Sequence, residues 1–391
     1  MTVVRRRVQV RGVVQGVGFR PFAHALARRL GVAGHVGNDD AGVFLEVEGD
    51  EGRVLAFLEA LQGEAPPLAR VEAVVVTSLP PRDEHGFHIL ASRAPGPQVT
   101  PVSPDVAPCD DCLRDLRDSG DRRFRYPFVN CTNCGPRYTI VRDVPYDRAM
   151  TTMAGFVMCE ACRREYDDPG NRRFHAQPNA CPSCGPQLVW RIGDERGKEA
   201  RARADSALQA ALAMLRDGGI VAVKGIGGYH LACDAMRDDV VARLRERKQR
   251  SDKPFALLAA SLDTVRRFAI VPEAEARLLS AGARPIVLLD RRPDAELAIA
   301  ESVAPGLGSL GVMLPPSPLH VLLADVGPLV LTSGNLSEEP IAREDDEALA
   351  RLSSIADGFL QHDRAIHVVC DDSVVRWHDG GELPLRRSRG Y

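Results

Sequence analysis

The sequence predicts an α+β multidomain protein: a small βαββαβ domain, a duplicated four-cysteine region, then an α/β domain with a twisted sheet. Three observations carry that expectation. Residues 3–91 alternate short apolar runs with two amphipathic stretches. Eight of the ten cysteines fall between Cys109 and Cys184. From about residue 200, helix and strand signals alternate to the end. A chain of 391 residues is also too long for one core.

Bulk composition narrows the function classes. Lys plus Arg number 50 and Asp plus Glu 53, a net charge of −3, which argues against nucleic-acid binding by bulk charge. No apolar run is long enough to span a bilayer, so no membrane partner is expected, and no secretory signal opens the chain. The cytoplasm is the expected compartment.

In residues 1–91, Val3 to Val14 alternate apolar and polar side chains as a half-buried strand does. The loop Gln15-Gly16-Val17-Gly18-Phe19-Arg20 follows, then a helix with Phe22, Leu26 and Leu30 on one face. Two short strands flank Asn38 (Val32–Val36 and Val43–Val47). A second helix carries Val54, Phe57, Leu58 and Leu61 as a buried stripe. Val71–Val76 and Phe87–Leu90 complete a ferredoxin-like order. Glycines at 16 and 18, at a strand-to-helix turn, let backbone N–H groups converge on an oxyanion. Arg20 adds a planar fork suited to phosphate oxygens.

The strings from Gly12 to Arg20, Gly34 to Asn38 and Gly42-Val43 resemble the acylphosphatase family across essentially this whole domain. The resemblance implies that Arg20 and the loop amides hold the phosphoryl group of an acyl phosphate, and that Asn38 orients the attacking water. The family's usual aromatic before the asparagine motif is His35 here.

Residues 92–104 read as a Pro-rich linker. In 105–190, the pairs Cys109/Cys112, Cys131/Cys134, Cys159/Cys162 and Cys181/Cys184 form two C-x2-C-x18-C-x2-C units at a 50-residue period. The register extends to Arg122-Arg123-Phe124 with Arg172-Arg173-Phe174, and to the Gly-Pro after Cys134 and Cys184, so the region is an internal duplication. Four thiolates close a tetrahedral site with no open position, the structural kind of zinc site. Two Zn2+ ions are therefore expected, with disulfides or an iron–sulfur cluster as the competing readings. The repeat suggests pairing within each unit; an interleaved pairing uses the same sulfurs. His175 is read as an ordinary polar residue beside filled sites, and Arg122, Arg123, Arg125, Arg172 and Arg173 as a solvated face.

Residues 191–203 are charged and read as a linker. The domain at 200–391 opens on a helix stripe (Ala207, Leu208, Ala211, Leu212 and Leu215) and a strand over Ile220–Val223. A helix over Val240–Arg247 follows, then strands near Phe255–Ala259, Pro285–Asp290, Leu310–Leu314, Leu329–Thr332 and Ser373–Trp377. Its polar clusters are Lys224 before a glycine turn, the cationic run Lys248 to Pro254, and Thr332-Ser333-Gly334-Asn335 after an apolar strand. Together these resemble the YrdC-like family, whose K-x-R and S-x-N elements line an ATP-binding concavity. Lys248, Arg250 and Lys253 match the first element, Ser333 and Asn335 the second, and Leu385 to Gly390 resemble the family's last strand. The resemblance implies ATP as a substrate, with Mg2+, and places Lys224 near the substrate carbonyl. Cys233 and Cys370 are read as buried small residues.

In this order the three parts resemble the hydrogenase-maturation carbamoyltransferase (HypF) family along the whole chain. That resemblance implies hydrolysis of carbamoyl phosphate to carbamate at Arg20 and Asn38, then ATP-dependent formation of carbamoyl adenylate. The carbamoyl group would pass to the partner protein HypE and become a cyanide ligand of [NiFe]-hydrogenase. Family members continue with a large transfer domain, which the resemblance would place beyond Tyr391. The competing classes are a tRNA threonylcarbamoyl-adenylate synthase-like enzyme and a non-catalytic zinc module.

Overall fold

The computed structural model describes residues 2–93, 100–192, 202–337 and 339–391. The middle of each expected linker (94–99 and 193–201) lies outside the described residues. The chain packs as two units, each of two segments: Met1–Ser103 with Asn130–Ala180, and Pro104–Val129 with Cys181–Tyr391.

The first unit contains the βαββαβ domain: β1 (Val3–Val13), α1 (Phe19–Leu30), β2 (Ala33–Asp39), β3 (Gly42–Asp50), α2 (Glu51–Gly63), β4 (Arg70–Leu79) and β5 (Phe87–Ile89). The sheet order is β4-β1-β3-β2-β5, antiparallel except for β2 with β5. Val8 and Val10 of β1, Val36 of β2 and Leu45 of β3 are buried with Leu26 of α1 and Phe57 of α2. Period-two and period-3.6 stripes thus meet in one core, which holds the β1–α1 turn and the end of β2 beside each other.

Two eight-residue helices, α3 (Asp110–Arg117) and α4 (Glu160–Asp167), each follow the first cysteine of a repeat, Cys109 or Cys159, which serves as N-cap. The duplication is visible in the backbone. Arg125 (φ 54) and His175 (φ 53) both take the left-handed conformation. Their N–H groups donate to Leu116 O and Tyr166 O, which are also 50 residues apart. The expected solvated arginine face is only partly so: Arg123 and Arg173 are buried. Arg173 Nε donates to Asn130 O at 3.2 Å, so this charge satisfies backbone carbonyls rather than facing water.

The second unit carries an eleven-stranded mixed sheet. Its elements are β6 (Leu188–Ile192), β7 (Ala202–Arg203), α5 (Ala204–Arg216), β8 (Val221–Lys224), β9 (Tyr229–Asp234), α6 (Asp238–Arg247), β10 (Ala256–Leu258), α7 (Leu262–Arg266) and α8 (Glu273–Ser280). Then come β11 (Ile286–Asp290), β12 (Ser309–Met313), α9 (Pro318–Leu323), β13 (Leu329–Ser333), α10 (Asp345–Leu352), β14 (Gly358–His362), β15 (Val374–His378) and β16 (Gly381–Arg386). The order is β16-β15-β11-β12-β10-β13-β9-β8-β14-β6-β7. Both ends of the expected 191–203 linker are strand, because Arg191 and Ile192 pair with β14, and Ala202 and Arg203 with β6. At the tail only Leu385 and Arg386 belong to the last strand.

Candidate functional sites

The phosphate-type loop runs from the end of β1 into α1. Gly16 (φ 72) and Gly18 (φ 80) occupy the left-handed region, which a side chain would strain. Val17 and Phe19 turn their side chains into the core, leaving the loop its backbone. The first helical hydrogen bond runs from Phe22 N to Gly18 O. The Phe19 and Arg20 amides therefore precede the helical ladder, where an anion is favoured. The Gln15 side chain is a bracket: it donates to Asp39 O (2.6 Å) and Gly42 O (2.7 Å) and accepts from Tyr146 N (2.9 Å).

Arg20 sits in the first turn of α1, 8% exposed. Its Nη2 donates to Asp147 Oδ1 at 2.9 Å and Tyr146 O at 3.3 Å, and Nη1 to Ser92 Oγ at 3.3 Å. Asn38, 1% exposed near the end of β2, has an Oδ1 with no hydrogen-bond partner among the described residues. An orphaned buried amide oxygen is costly unless a ligand or water completes it. Gln15, Gly16, Gly18, Arg20 and Asn38 line one small cavity.

The far wall of that cavity, which the sequence did not reveal, comes from residues 130–180: Thr132, Arg137, Tyr146, His175 and Gln177. No motif marks them, since only folding brings them to the loop. His175, expected to be an ordinary polar residue, is half-buried here, its ring packed on Phe174 and Tyr166 with centroids 4.6 and 5.0 Å away. Burial first, and then the Arg20 cation, push its imidazole down to about 4, so it is neutral near pH 7.

The eight cysteines form two clusters, Cys109/Cys112/Cys131/Cys134 and Cys159/Cys162/Cys181/Cys184, each with its sulfurs within 4.8 Å of one another. This is the pairing the repeat suggests, and His175 belongs to neither. The Cys131–Cys134 and Cys181–Cys184 sulfurs are 3.8 Å apart. A disulfide is about 2.05 Å long. Four thiolates at about 2.3 Å from one ion stand about 3.8 Å apart, so the clusters are consistent with zinc sites. A third group, His35 with Glu46 and Glu84, is not a cation site: the Arg5 guanidinium pairs with Glu46 and, at 2.9 Å, with Glu84.

In the second unit a much larger cavity, of about 660 Å3, is lined by Arg250, Lys253, Thr332, Ser333, Asp371 and Arg386, among others. Its size suits a nucleotide. Lys248 is 1% exposed and lies outside that lining; its Nζ donates to Ser333 O (2.7 Å), Asn335 O (2.5 Å) and Asn335 Oδ1 (2.7 Å). It thus fastens the polar turn after β13 instead of facing the cavity. Burial, then the Arg250 guanidinium, push its ammonium down to about 7. Asn335 also stands behind the wall, accepting from Ser333 Oγ at 2.8 Å and donating to Glu339 O at 2.6 Å. Lys224 is buried too, paired with Asp345 Oδ1 at 2.6 Å and donating to His362 O at 2.9 Å.

Asp372 is another residue that sequence reasoning missed. It lines the cavity and holds Arg389 at 2.9 Å and His230 at 3.0 Å. Burial alone would raise its carboxyl, but these two neighbours keep it well below the usual carboxylate range. Cys233 is buried as expected, whereas Cys370 is half-buried, its Sγ 3.4 Å from Ser388 Oγ. No helix among the described residues is long and apolar enough to cross a membrane.

Comparison with known proteins gives the same three parts. Residues 6–89 match the Acylphosphatase family, residues 109–141 and 158–190 the HypF finger, and residues 213–388 the Sua5/YciO/YrdC family described as Telomere recombination. The chain is 50% identical to Carbamoyltransferase HypF2 of Cupriavidus necator over 410 residues, covering 99% of this chain and 50% of that protein. It is 52% identical to Carbamoyltransferase HypF of Rhodobacter capsulatus over 387 residues, covering 98% and 50%. The crystal structure of full-length HypF in its phosphate- and nucleotide-bound form superposes with a TM-score of 0.94 at 45% identity, covering all of this chain and 50% of that one. T. kodakarensis HypF gives 0.90 at 43% identity, covering 99% and 49%. The chain spans about half the length of these relatives.

Proposed function

The chain belongs to the HypF carbamoyltransferase family, of whose members it carries the N-terminal half, and from that premise we propose that it carries out two linked steps on a carbamoyl group. In the first, carbamoyl phosphate is hydrolysed to carbamate and phosphate. The observation that carries this reading is the small cavity that holds Arg20, the glycine turn and the orphaned Asn38 oxygen together. Arg20 and the Phe19 and Arg20 amides hold the phosphoryl oxygens, and the phosphoryl group displaces or shares Arg20 with Asp147. Asn38 Oδ1 accepts a hydrogen bond from the attacking water and so directs its lone pair at phosphorus. As the P–O bond to the carbamoyl group breaks, carbamate leaves. No covalent nucleophile is needed, because positioning and charge stabilisation supply the acceleration.

In the second step a carbamate oxygen attacks the α-phosphorus of ATP, giving carbamoyl adenylate and pyrophosphate. Arg250, Lys253 and Arg386 would neutralise the triphosphate, with Ser333 at the cavity wall, Lys248 and Asn335 shaping the turn behind it, and Lys224 further inside. ATP would carry Mg2+ into this site. The eight clustered cysteines would hold two Zn2+ ions as structural cross-links, which suits a reducing compartment such as the cytoplasm. In the whole family the product would pass to HypE for the cyanide ligand of [NiFe]-hydrogenase. Arg20→Ala should lower phosphate release from carbamoyl phosphate by about 10²–10³-fold and leave ATP affinity unchanged. Hydrolysis at the wild-type rate in that variant would remove the first step.

A further inference from the structure

Arg137, three residues beyond Cys134, is 2% exposed, and every nitrogen of its guanidinium donates to a backbone carbonyl. Nε donates to Gly16 O at 2.6 Å, in the middle of the phosphate-type loop. Nη1 donates to Cys134 O and Pro136 O, both at 3.0 Å, and Nη2 to Thr132 O at 2.9 Å. One planar fork therefore grips the loop at one edge and the Cys131–Cys134 knuckle at the other. A second contact comes from the same knuckle: a Cβ placed on Gly18 would lie 2.7 Å from Thr132 Cγ2, so Thr132 closes over the loop's second glycine.

The physical effect follows from peptide planarity. In a trans peptide the Gly16 carbonyl and the Val17 N–H point in opposite directions, so fixing one fixes the other. Glycine loops are otherwise the freest backbone in a chain, and ordering one at the moment of binding costs affinity. A loop whose amides are aimed in advance binds an anion without that cost.

We propose that Arg137 is a positioning residue for phosphate binding, fastening the glycine loop to the first cysteine knuckle so that the anion site depends on the metal-held shape of that knuckle. It is a positioning residue and not a catalytic one, since four of its five N–H donors hold backbone carbonyls and Arg20 meets the phosphoryl group. The inference rests on the phosphate-site reading given above.

The test is calorimetric titration of inorganic phosphate into the zinc-loaded chain, with zinc content and ATP affinity measured on the same samples. Arg137→Gln should weaken phosphate binding about tenfold and raise KM for carbamoyl phosphate by a similar factor. Its kcat should stay within about threefold of wild type, with zinc and ATP binding unchanged. Arg137→Lys, which keeps the charge but not the fork, should be weakened almost as much. Chelating zinc from the wild-type chain should lower phosphate affinity in step with metal release. Unchanged phosphate affinity in Arg137→Gln with zinc retained overturns the proposal; should that variant shed zinc, Arg137→Lys decides by the same criterion. A wild-type chain that binds no phosphate overturns the phosphate-site reading itself, and this inference with it.

Discussion

Arg20 and Asn38 are both buried, yet their polar atoms are used differently. Arg20 already holds an anion, Asp147, whereas the Asn38 oxygen waits for a donor. Their losses should therefore separate. Asn38→Ala should lower kcat for carbamoyl phosphate hydrolysis by about 10²-fold while inorganic phosphate still binds; equal losses in both would place Asn38 in binding instead. His175 gives a prediction in pH. Burial, then Arg20, lowers its folded pKa from 6.5 to about 4, so between those values the unfolded chain binds more protons than the folded one. Stability should then fall as pH drops from 6.5 towards 4. His175→Gln should flatten that part of the melting-temperature profile, and an identical acid profile in the variant would contradict the placement of this ring. Arg20 and Asn38 were legible in sequence because each sits in a short local string, Gly12–Arg20 or Gly34–Asn38; folding brings the two strings to one pocket. His175, Arg137 and Asp147 were not, since each lies more than a hundred residues from the loop and shares no motif with it.

In the turn after β13, a motif cation acts on the backbone rather than on the cavity. Lys248 fills its three donor positions with Ser333 O, Asn335 O and Asn335 Oδ1. Lys248→Ala removes three hydrogen bonds from that turn, although Ser333 O keeps the Asn335 N–H and Asn335 Oδ1 keeps Ser333 Oγ, so it should destabilise the second unit by about 1–3 kcal/mol as well as weaken ATP binding. Arg250→Ala, at the cavity wall, should weaken ATP binding with little change in melting temperature. Calorimetry and thermal melts on both variants check the contrast; reversed effects would return Lys248 to the cavity. The cysteine helices behave as elements as well. Helices α3 and α4 have only eight residues each, too short to persist alone in water. Metal removal should therefore cost part of the helical circular-dichroism signal, together with release of two zinc ions per chain. Leu188–Ile192 escaped sequence reasoning although it is mostly apolar, because it straddles the expected domain boundary, and Ala202-Arg203 because it ends a charged stretch; pairing with β14 and with each other makes them strands.

For the whole molecule, the element order, the duplication and the motif-bearing loops could be read directly, because each is a local pattern of residue types. The division into two units could not. Residues 105–190 read as one block, yet 130–180 pack with the first unit and the remainder with the second, a division that no spacing announces. One consequence is that the phosphate cavity draws its walls from both segments of the first unit. On the proposed reading, breakdown of carbamoyl phosphate and activation of the liberated carbamate are coupled. Pyrophosphate release, measured with zinc-loaded chain, ATP and carbamoyl phosphate together and with each substrate alone, tests it most directly. Release should require both substrates and disappear in Arg20→Ala; release from ATP at the same rate with no carbamoyl phosphate present would separate the two reactions and overturn the coupling.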